Sequence, residues 1–369
     1  MNPVQTDRPN TTNTSNKPRL GRTVLDDISR GDFGLTMRRD WSDVLQFYLD
    51  SDTIQELRRM GRFKRWWFST WWLLKSMILR LTPTRRLLLI TTIVCFLWGL
   101  SENTDLWIFV GFAGLLAVLM LELKDKLLAQ DELASGRAVQ FALMPDQAPD
   151  FAGWDIWLYT RPANDVGGDL VDYLRVNDHR LAVSLGDIAG KGLPAALFMA
   201  KLQATIRAIA PGHDSLASFG EELNRIFWRD KLPNRFASLV YFEVNSESGT
   251  VRILNAGHMP PLHLDREGVR TLRQGDVALG LTRSHTFTEQ TVEVAPSDVI
   301  VAYSDGISEA RTEDGRFFGD DRLKKLVGQL RGRAAEDVGL AILAAVDEFI
   351  GEARPSDDLS LVILRRRKA

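Results

Sequence analysis

The sequence has few of the side chains that build disulfide frameworks or zinc sites. Its 369 residues include one cysteine, Cys95, and five histidines. A single cysteine excludes a disulfide within the chain and a thiolate metal cluster. The histidines form no H-E-x-x-H pattern that would favour zinc catalysis. The formal net charge is only −2, so the overall electrostatics do not favour a nucleic-acid binder, and we expect no nucleic acid among the partners.

The beginning of the chain has little apolar content. The first 20 residues are rich in Asn, Thr, Pro and Ser, which predicts a disordered N-terminus over residues 1–24. No basic start followed by an apolar stretch occurs there, which argues against a cleaved signal peptide. Residues 25–60 predict a helical region of unknown role, with an amphipathic helix around Trp41–Leu57.

Residues 61–121 have the composition of a membrane-associated region. Seven of the ten tryptophans precede residue 110. The segment Arg62–Leu81 interleaves basic with aromatic residues, which is typical of a helix at the membrane–water boundary. Two apolar runs follow, Leu87–Ser101 and Leu106–Leu121, of 15 and 16 residues. Both are shorter than the roughly 20 residues that cross a bilayer upright, but flanking Lys and Arg can extend them by snorkelling.

The positions of Lys and Arg predict how such a hairpin would lie. The connector Glu102–Asp105 has neither residue, whereas both flanks of the hairpin are basic. By the positive-inside rule both ends face the cytoplasm, so we predict a membrane hairpin with lipid as a partner; a soluble helical hairpin is the alternative. Residues 122–142 predict a charged linker helix. Its weak heptad spacing suits either a homodimeric coiled coil or a solvated single helix.

Four short acidic motifs in the second half of the chain carry the chemistry. They are Gly167-Gly168-Asp169, Gly186-Asp187-Ile188-Ala189-Gly190-Lys191-Gly192, Ser304-Asp305-Gly306 and Asp357-Asp358-Leu359-Ser360. Each places a carboxylate beside a small or acidic residue, and we expect three of the four to follow an apolar strand directly. Carboxylate oxygens at strand ends suit Mg²⁺ and Mn²⁺. One such motif is more typical of a turn, but four of them together predict a metal site.

The pattern after Trp154 is one of short strands and turns with two helical stretches, Leu193–Ile209 and Asp337–Ile350. The runs Ala237–Val244 and Val251–Leu254 flank a turn and predict a β-hairpin. We therefore predict an α/β fold for residues 143–369, a sandwich of antiparallel sheets flanked by helices.

The order and wording of the motifs resemble the metal-dependent protein serine/threonine phosphatases (PPM family), in particular the bacterial SpoIIE/RsbU-like branch. The resemblance runs from about Phe141 to Arg365. Besides the acidic motifs it includes Leu143-Met144-Pro145, Asn255-Ala256-Gly257-His258-Met259-Pro260-Pro261 and Tyr303-Ser304-Asp305-Gly306-Ile307-Ser308-Glu309-Ala310. It implies a PPM-type α-β-β-α sandwich as the catalytic domain, preceded here by the helical region with its predicted transmembrane hairpin.

The resemblance also implies a site with two ions, Mn²⁺ or Mg²⁺, and a metal-activated water. Carried over by position, its catalytic and metal-binding carboxylates are Asp169, Asp187, Asp305 and Asp357. The backbone carbonyl of Ile188 is expected as a further ligand. So is Asp358, which stands where the family often has Asn or Asp.

The function implied is dephosphorylation of phosphoserine or phosphothreonine on a bacterial signalling protein, such as a STAS-type anti-sigma-factor antagonist. The enzyme would lie in the bacterial cytoplasmic membrane with its catalytic domain in the cytoplasm. Two alternatives are weighed against it. One is a non-catalytic phosphatase-fold sensor or scaffold at the membrane, and the other is a two-metal nucleotide cyclase. A complete set of acidic residues argues against the first, and the absence of a base-selecting motif argues against the second.

Overall fold

The computed structural model describes residues 5–6, 60–145, 147–230, 235–353 and 355–368. Within residues 1–24 it describes only the strand β1 (Gln5–Thr6). The rest of the predicted disordered N-terminus and the predicted helix around Trp41–Leu57 lie outside the described residues. The chain divides into two compact units, one that ends at Ala129 and one that contains Gln130–Ala369.

Three helices follow one another from residue 62, namely α1 (Arg62–Arg80), α2 (Pro83–Glu102) and α3 (Asp105–Leu143). The boundary between the two units falls within α3. The helix α2 has 20 residues and a mean hydropathy of 1.4, and the apolar part of α3 reaches 2.3. At about 1.5 Å per residue, 20 residues extend about 30 Å, which equals the hydrocarbon core of a bilayer. The helices are thus longer than the apolar runs that the sequence shows.

The helices α2 and α3 pack closely because glycines lie where they meet. A Cβ atom at Gly111 would lie 2.6 Å from the Phe96 backbone nitrogen, and one at Gly114 would lie 2.0 Å from Thr92 Cγ2. At the opposite end from the connector, Arg85 is 2.8 Å from a Glu122 carboxylate oxygen. The large apolar side chains of both helices face outward; Leu87, Trp98, Leu106 and Phe109 are between 61% and 68% exposed. Both helices of the hairpin thus expose large apolar side chains.

The second unit is built of two sheets. The first has the strand order β1-β2-β11-β10-β7-β8 and the second has the order β3-β4-β5-β6-β9. All pairings are antiparallel except that of β1 with β2. The strands are β2 (Trp154–Arg161), β3 (Leu170–Arg175), β4 (Arg180–Ile188), β5 (Ala237–Asn245), β6 (Thr250–Ala256), β7 (Leu262–Leu264), β8 (Val269–Thr271), β9 (Glu289–Glu293), β10 (Val299–Tyr303) and β11 (Leu359–Arg366).

Helices cover the outer face of each sheet. Those of this unit are α4 (Leu193–Ile209), α5 (Leu216–Arg229), the single turn α6 (Asp305–Ser308), α7 (Asp320–Gly328) and α8 (Ala335–Ile350). The helices α4 and α5 pack on the second sheet, and α7 and α8 pack on the first. A third apolar core, which includes Trp154, Phe242 and Val362, lies between the sheets. The layers are therefore α-β-β-α, which confirms the predicted fold class.

Local details agree with the sequence patterns. The predicted hairpin is formed by β5 and β6, whose register pairs Val244 with Val251. The helix α4 matches the predicted Leu193–Ile209. Together with the 3-10 turn Ala210–Gly212 that follows it, α4 is also apolar and long enough to cross a membrane, but Leu202 and Ala195 on its inner face are fully buried in the core of the unit. Its apolar face is therefore explained by the fold itself.

Candidate metal centre

The antiparallel register brings the four acidic motifs to one edge of the sandwich. Asp169 directly precedes β3, and the register pairs Leu170 with Gly186, so Asp169 and Asp187 lie at the same end of the second sheet. In the first sheet Tyr303 pairs with Leu361, which places Asp305, after β10, beside the residues that precede β11. The prediction that three motifs follow a strand is wrong. One lies at the end of β4 and one follows β10, while the other two precede β3 and β11. Strand starts and strand ends meet here because neighbouring antiparallel strands run in opposite directions.

Asp358 is held by main-chain N–H groups of the loop between β2 and β3. Its Oδ1 accepts a hydrogen bond from the Ala163 N–H at 2.8 Å. Its Oδ2 accepts from the Gly168 N–H at 2.6 Å and from the Asp169 N–H at 3.4 Å. Asp358 therefore ties the start of β11 to the loop before β3. Whether it also binds an ion stays a prediction.

Glycines permit these close contacts. A Cβ atom at Gly167 would lie 2.5 Å from Asp358 Oδ2, and one at Gly306 would lie 2.0 Å from the Asp358 carbonyl oxygen. Any larger residue at either position would force the segments apart. Gly167 thus lets the loop before β3 approach Asp358, and Gly306 lets the turn after β10 approach the segment before β11.

Asp187, Asp305 and Asp357 line one cavity of about 360 Å³. Ile188 lines it as well, and the Ile188 carbonyl oxygen would lie 3.2 Å from a Cβ atom at Gly168. Asp169 is only 3% exposed, and its Oδ2 has no hydrogen-bond partner among the described residues. Of the six predicted ligands, four therefore line the cavity, while Asp169 and Asp358 are buried.

The carboxylates raise one another's proton affinity. Burial raises the pKa of Asp169 well above its usual range, and the charges of Asp358 and Asp187 raise it further. Burial, followed by the charges of Asp305, Asp357 and Asp358, raises the pKa of Asp187 to about 7. Burial and the charge of Asp357 likewise raise the pKa of Asp305. Carboxylates crowded in this way are relieved by protons or by cations.

The chemistry of these donors fits a hard divalent cation, since all of them are oxygens and one buried oxygen lacks a partner. The side chains are not closed into a coordination shell, however. Within the described ranges, no three acidic, histidine or cysteine side chains are close enough together to hold an ion. Lys191 is a cation close to the acids; its Nζ is 2.9 Å from Asp357 Oδ2 and donates to the Ser356 carbonyl at 2.7 Å. An ion would therefore compete with Lys191 for Asp357.

The wall of the cavity includes residues that the sequence did not predict as part of the site. His258 Nδ1 is 2.8 Å from Ser238 Oγ, and burial lowers the pKa of His258 to about 4. The His258 N–H donates to Asn255 Oδ1 at 2.9 Å, which is a turn contact of the kind the Asn-Ala-Gly-His motif suggests. Away from the cavity wall, the Gln140 side chain makes two hydrogen bonds with the Gly167 backbone. No sequence signal indicates them, because Gln140 lies in a helix whose pattern is that of a linker.

The part of the chain that forms the sandwich is similar to known proteins. A family model described as Stage II sporulation protein E (SpoIIE) matches residues 177–367. That range includes Asp187, Asp305 and Asp357 but begins after Asp169. The chain is 29% identical over 220 residues to Protein IcfG of Synechocystis sp. and 23% identical over 240 residues to the phosphoserine phosphatase RsbU of Bacillus subtilis. These alignments cover 52% and 64% of this chain, but 35% of IcfG and 71% of RsbU.

Solved structures show the same fold. The SiaA-PP2C domain of Pseudomonas aeruginosa matches with a TM-score of 0.57 at 20% identity, covering 65% of this chain and 98% of that domain. The PP2C phosphatase domain of SpoIIE from Bacillus subtilis, solved with a fragment of its regulatory domain, matches with a TM-score of 0.53 at 14% identity. That match covers 59% of this chain and 64% of the SpoIIE chain. At these identities the likeness concerns the fold alone.

Proposed function

The chain belongs to the SpoIIE family, and from that premise we propose that it is a metal-dependent phosphatase acting on phosphoserine or phosphothreonine of a bacterial signalling protein. The observation that carries the proposal is the convergence of Asp169, Asp187, Asp305 and Asp357 at one edge of the sandwich. Two of its relatives, RsbU and RsbP of Bacillus subtilis, are named phosphoserine phosphatases.

The four carboxylates would hold Mn²⁺ or Mg²⁺, with the Ile188 carbonyl and Asp358 as additional oxygen donors. When bound, a pair of such ions lowers the pKa of water and offsets the charge of a phosphate under attack. Without a cation, the carboxylates repel a phosphate dianion by their own charge. The Lys191 ammonium is more than half exposed at the cavity, so once released from Asp357 it would attract the phosphate.

The cavity suits a phosphate carried on a protein surface. Its wall combines the carboxylates with the apolar side chains of Phe236 and Met259, and Phe236 is 38% exposed. An exposed apolar rim beside a phosphate site favours a protein over a small metabolite as substrate. We propose a phosphorylated regulator, such as a STAS-type anti-sigma-factor antagonist, as the partner.

The test is phosphate release from a phosphoserine protein by the full-length chain with and without Mn²⁺. Asp305→Asn should lower the rate by orders of magnitude, because it removes a proposed ligand of the ion that would offset the phosphate charge. Asp321→Asn is the matched control, since Asp321 is an exposed acid on α7. Phosphate release that persists in EDTA, or in Asp305→Asn, would refute the mechanism.

A non-catalytic phosphatase-fold module at the membrane is the second candidate. The pairing of Lys191 with Asp357 favours it, since the ammonium already takes part of one proposed ligand. Mn²⁺ titration separates the two candidates. An enzyme should bind Mn²⁺ and turn over the phosphoprotein, whereas a scaffold should bind the phosphoprotein without releasing phosphate.

We also propose that α2 and α3 cross the bacterial cytoplasmic membrane as a hairpin, with α1 at the interface and the sandwich in the cytoplasm. The exposed side chains of Trp66, Trp67 and Trp71 support the interfacial role of α1, because indole rings favour the headgroup region. Membranes washed with alkaline buffer provide the test. A spanning hairpin stays in the membrane, a merely interfacial helix is released, and recovery from cells in the soluble fraction would reject both.

Residues 122–142 are proposed to pair with a second copy of the chain. Leu123 and Leu127, which lie four residues apart within the weak heptad pattern of this segment, are 46% and 51% exposed on α3, so they are open to a partner helix. Light scattering on the full-length chain tests this. Leu127→Glu should convert a dimer to a monomer, and a mass that does not change would refute the pairing.

A further inference from the structure

The last turn of α3 has a buried glutamine whose side-chain amide binds both main-chain groups of one glycine. Gln140 Nε2 donates to the Gly167 carbonyl at 2.8 Å, and the Gly167 N–H donates to Gln140 Oε1 at 3.1 Å. Gln140 is 5% exposed. The amide therefore binds both the carbonyl and the N–H of the residue that opens the first acidic motif, at a buried position.

The glycine that Gln140 holds is the start of the segment that meets Asp358. The next two N–H groups, those of Gly168 and Asp169, point at Asp358 Oδ2. Gly167 has to be glycine, since a Cβ atom there would lie 2.5 Å from the same carboxylate oxygen. Two successive glycines leave the backbone with many accessible conformations, so an outside contact is needed to select the one that seats Asp169. Gln140 provides that contact.

We propose that Gln140 is a positioning residue for the metal site, acting through the Gly167 backbone on Asp169 and Asp358. The inference rests on the proposed function, because it concerns the ion that these carboxylates would hold. Gln140 touches neither the ion nor the substrate. Its effect is to hold Asp169 where its unpartnered oxygen can bind the ion, so that the ion does not first have to order the loop.

A second buried glutamine provides a matched control. Gln203 on α4 is 4% exposed and its Nε2 donates to the Leu143 carbonyl at 2.6 Å. Like Gln140 it joins the end of α3 to the sandwich by a buried amide, but its partner lies outside the acidic motifs. Loss of either side-chain amide weakens the seating of α3, and only the loss at Gln140 frees the Gly167–Asp169 segment.

The experiment measures Mn²⁺ binding by calorimetry on the full-length chain in detergent, for the wild type, Gln140→Met and Gln203→Met. Met keeps the length of the side chain and removes its hydrogen bonds. We expect the Kd for Mn²⁺ to rise about tenfold in Gln140→Met, equivalent to about 1.4 kcal/mol, and kcat to recover at saturating Mn²⁺. Gln203→Met should lower the melting temperature to a similar degree and leave the Kd unchanged.

Three outcomes overturn the inference. If Gln140→Met binds Mn²⁺ as tightly as the wild type, Gln140 does not position the site. If both variants weaken binding equally, the effect is general destabilisation. If the wild type binds no Mn²⁺, the proposed function fails, and this inference fails with it.

A measurement on the unsubstituted chain covers the case in which Gln140→Met does not fold. With isotope-labelled glutamine, the side-chain amide resonance of Gln140 should shift when Mg²⁺ is added, because the ion changes the charge next to the Gly167–Asp169 segment that Gln140 binds. The resonance of Gln203 should stay in place. If the chain binds Mg²⁺ and the Gln140 resonance does not shift, the positioning role is refuted.

Discussion

Removing the charge of Asp187 should stabilise the metal-free protein while it abolishes the activity. The pKa of Asp187 is raised from 3.8 to about 7. Below pH 3.8 Asp187 is protonated in both the folded and the unfolded chain. The stability that its proton contributes is lost as the pH rises through the folded-state pKa of about 7. The full difference corresponds to about 4 kcal/mol. Asn resembles the protonated acid and has no charge to bury, so Asp187→Asn should recover most of this free energy.

The assay is thermal melting of the full-length chain in EDTA at two pH values. At pH 8 we expect Asp187→Asn to melt about 10 °C above the wild type, given about 2–4 °C per kcal/mol for a unit of this size. At pH 4.5 the difference should fall to about 1 kcal/mol, because the folded state then keeps its proton and the pH is less than one unit above the unfolded-state pKa of 3.8. With Mn²⁺ present, the wild type should gain stability and Asp187→Asn should not.

The control is Asp172→Asn. Asp172 is also a buried acid at the second sheet, but both of its oxygens accept hydrogen bonds from Arg207, at 2.7 and 2.8 Å. Its charge is compensated, so Asp172→Asn should destabilise the protein at pH 8. If Asp187→Asn melts at or below the wild type at pH 8 without metal, the acidic edge is not strained and the reasoning is refuted.

Two further predictions concern the cation and the packing of α8. Mn²⁺ binding should release protons at pH 6.5 and few at pH 8.5, because the pKa of Asp187 is about 7. Calorimetry in buffers of different ionisation enthalpy measures the number of protons released. A number that does not vary with pH would contradict the raised pKa. Gly339→Val should destabilise the unit by about 2 kcal/mol or more, since a Cβ atom there would lie 2.0 Å from the Trp157 ring. Chemical unfolding measures the loss, and Leu340→Val on the exposed face of α8 is the control. Equal stability of the two variants would show that α8 can move away from the sheet.

The sequence by itself determined the fold class, because apolar periodicity is a local property of the chain. Strands such as β10 and β4 are short apolar runs that end in acidic turns, and the α4 helix has apolar residues at helical spacing. The order of the motifs was enough to indicate the SpoIIE family. Two helices, α5 and α7, were not predicted, although the buried residues Leu216, Phe219, Leu223 and Phe227 of α5 recur at helical spacing. Which sheet α5 packs against depends on the tertiary structure.

The tertiary structure decided how the acidic residues meet. From the sequence, three motifs were expected after strands, whereas two precede their strands. They share one edge only because antiparallel register places a strand start beside a strand end, and register depends on partners far away along the chain. The same holds for Asp358, whose partners Ala163 and Gly168 lie more than 180 residues away. Gln140 is the clearest case. Its chemistry is that of any helix glutamine, and only the packing of α3 places its amide against Gly167.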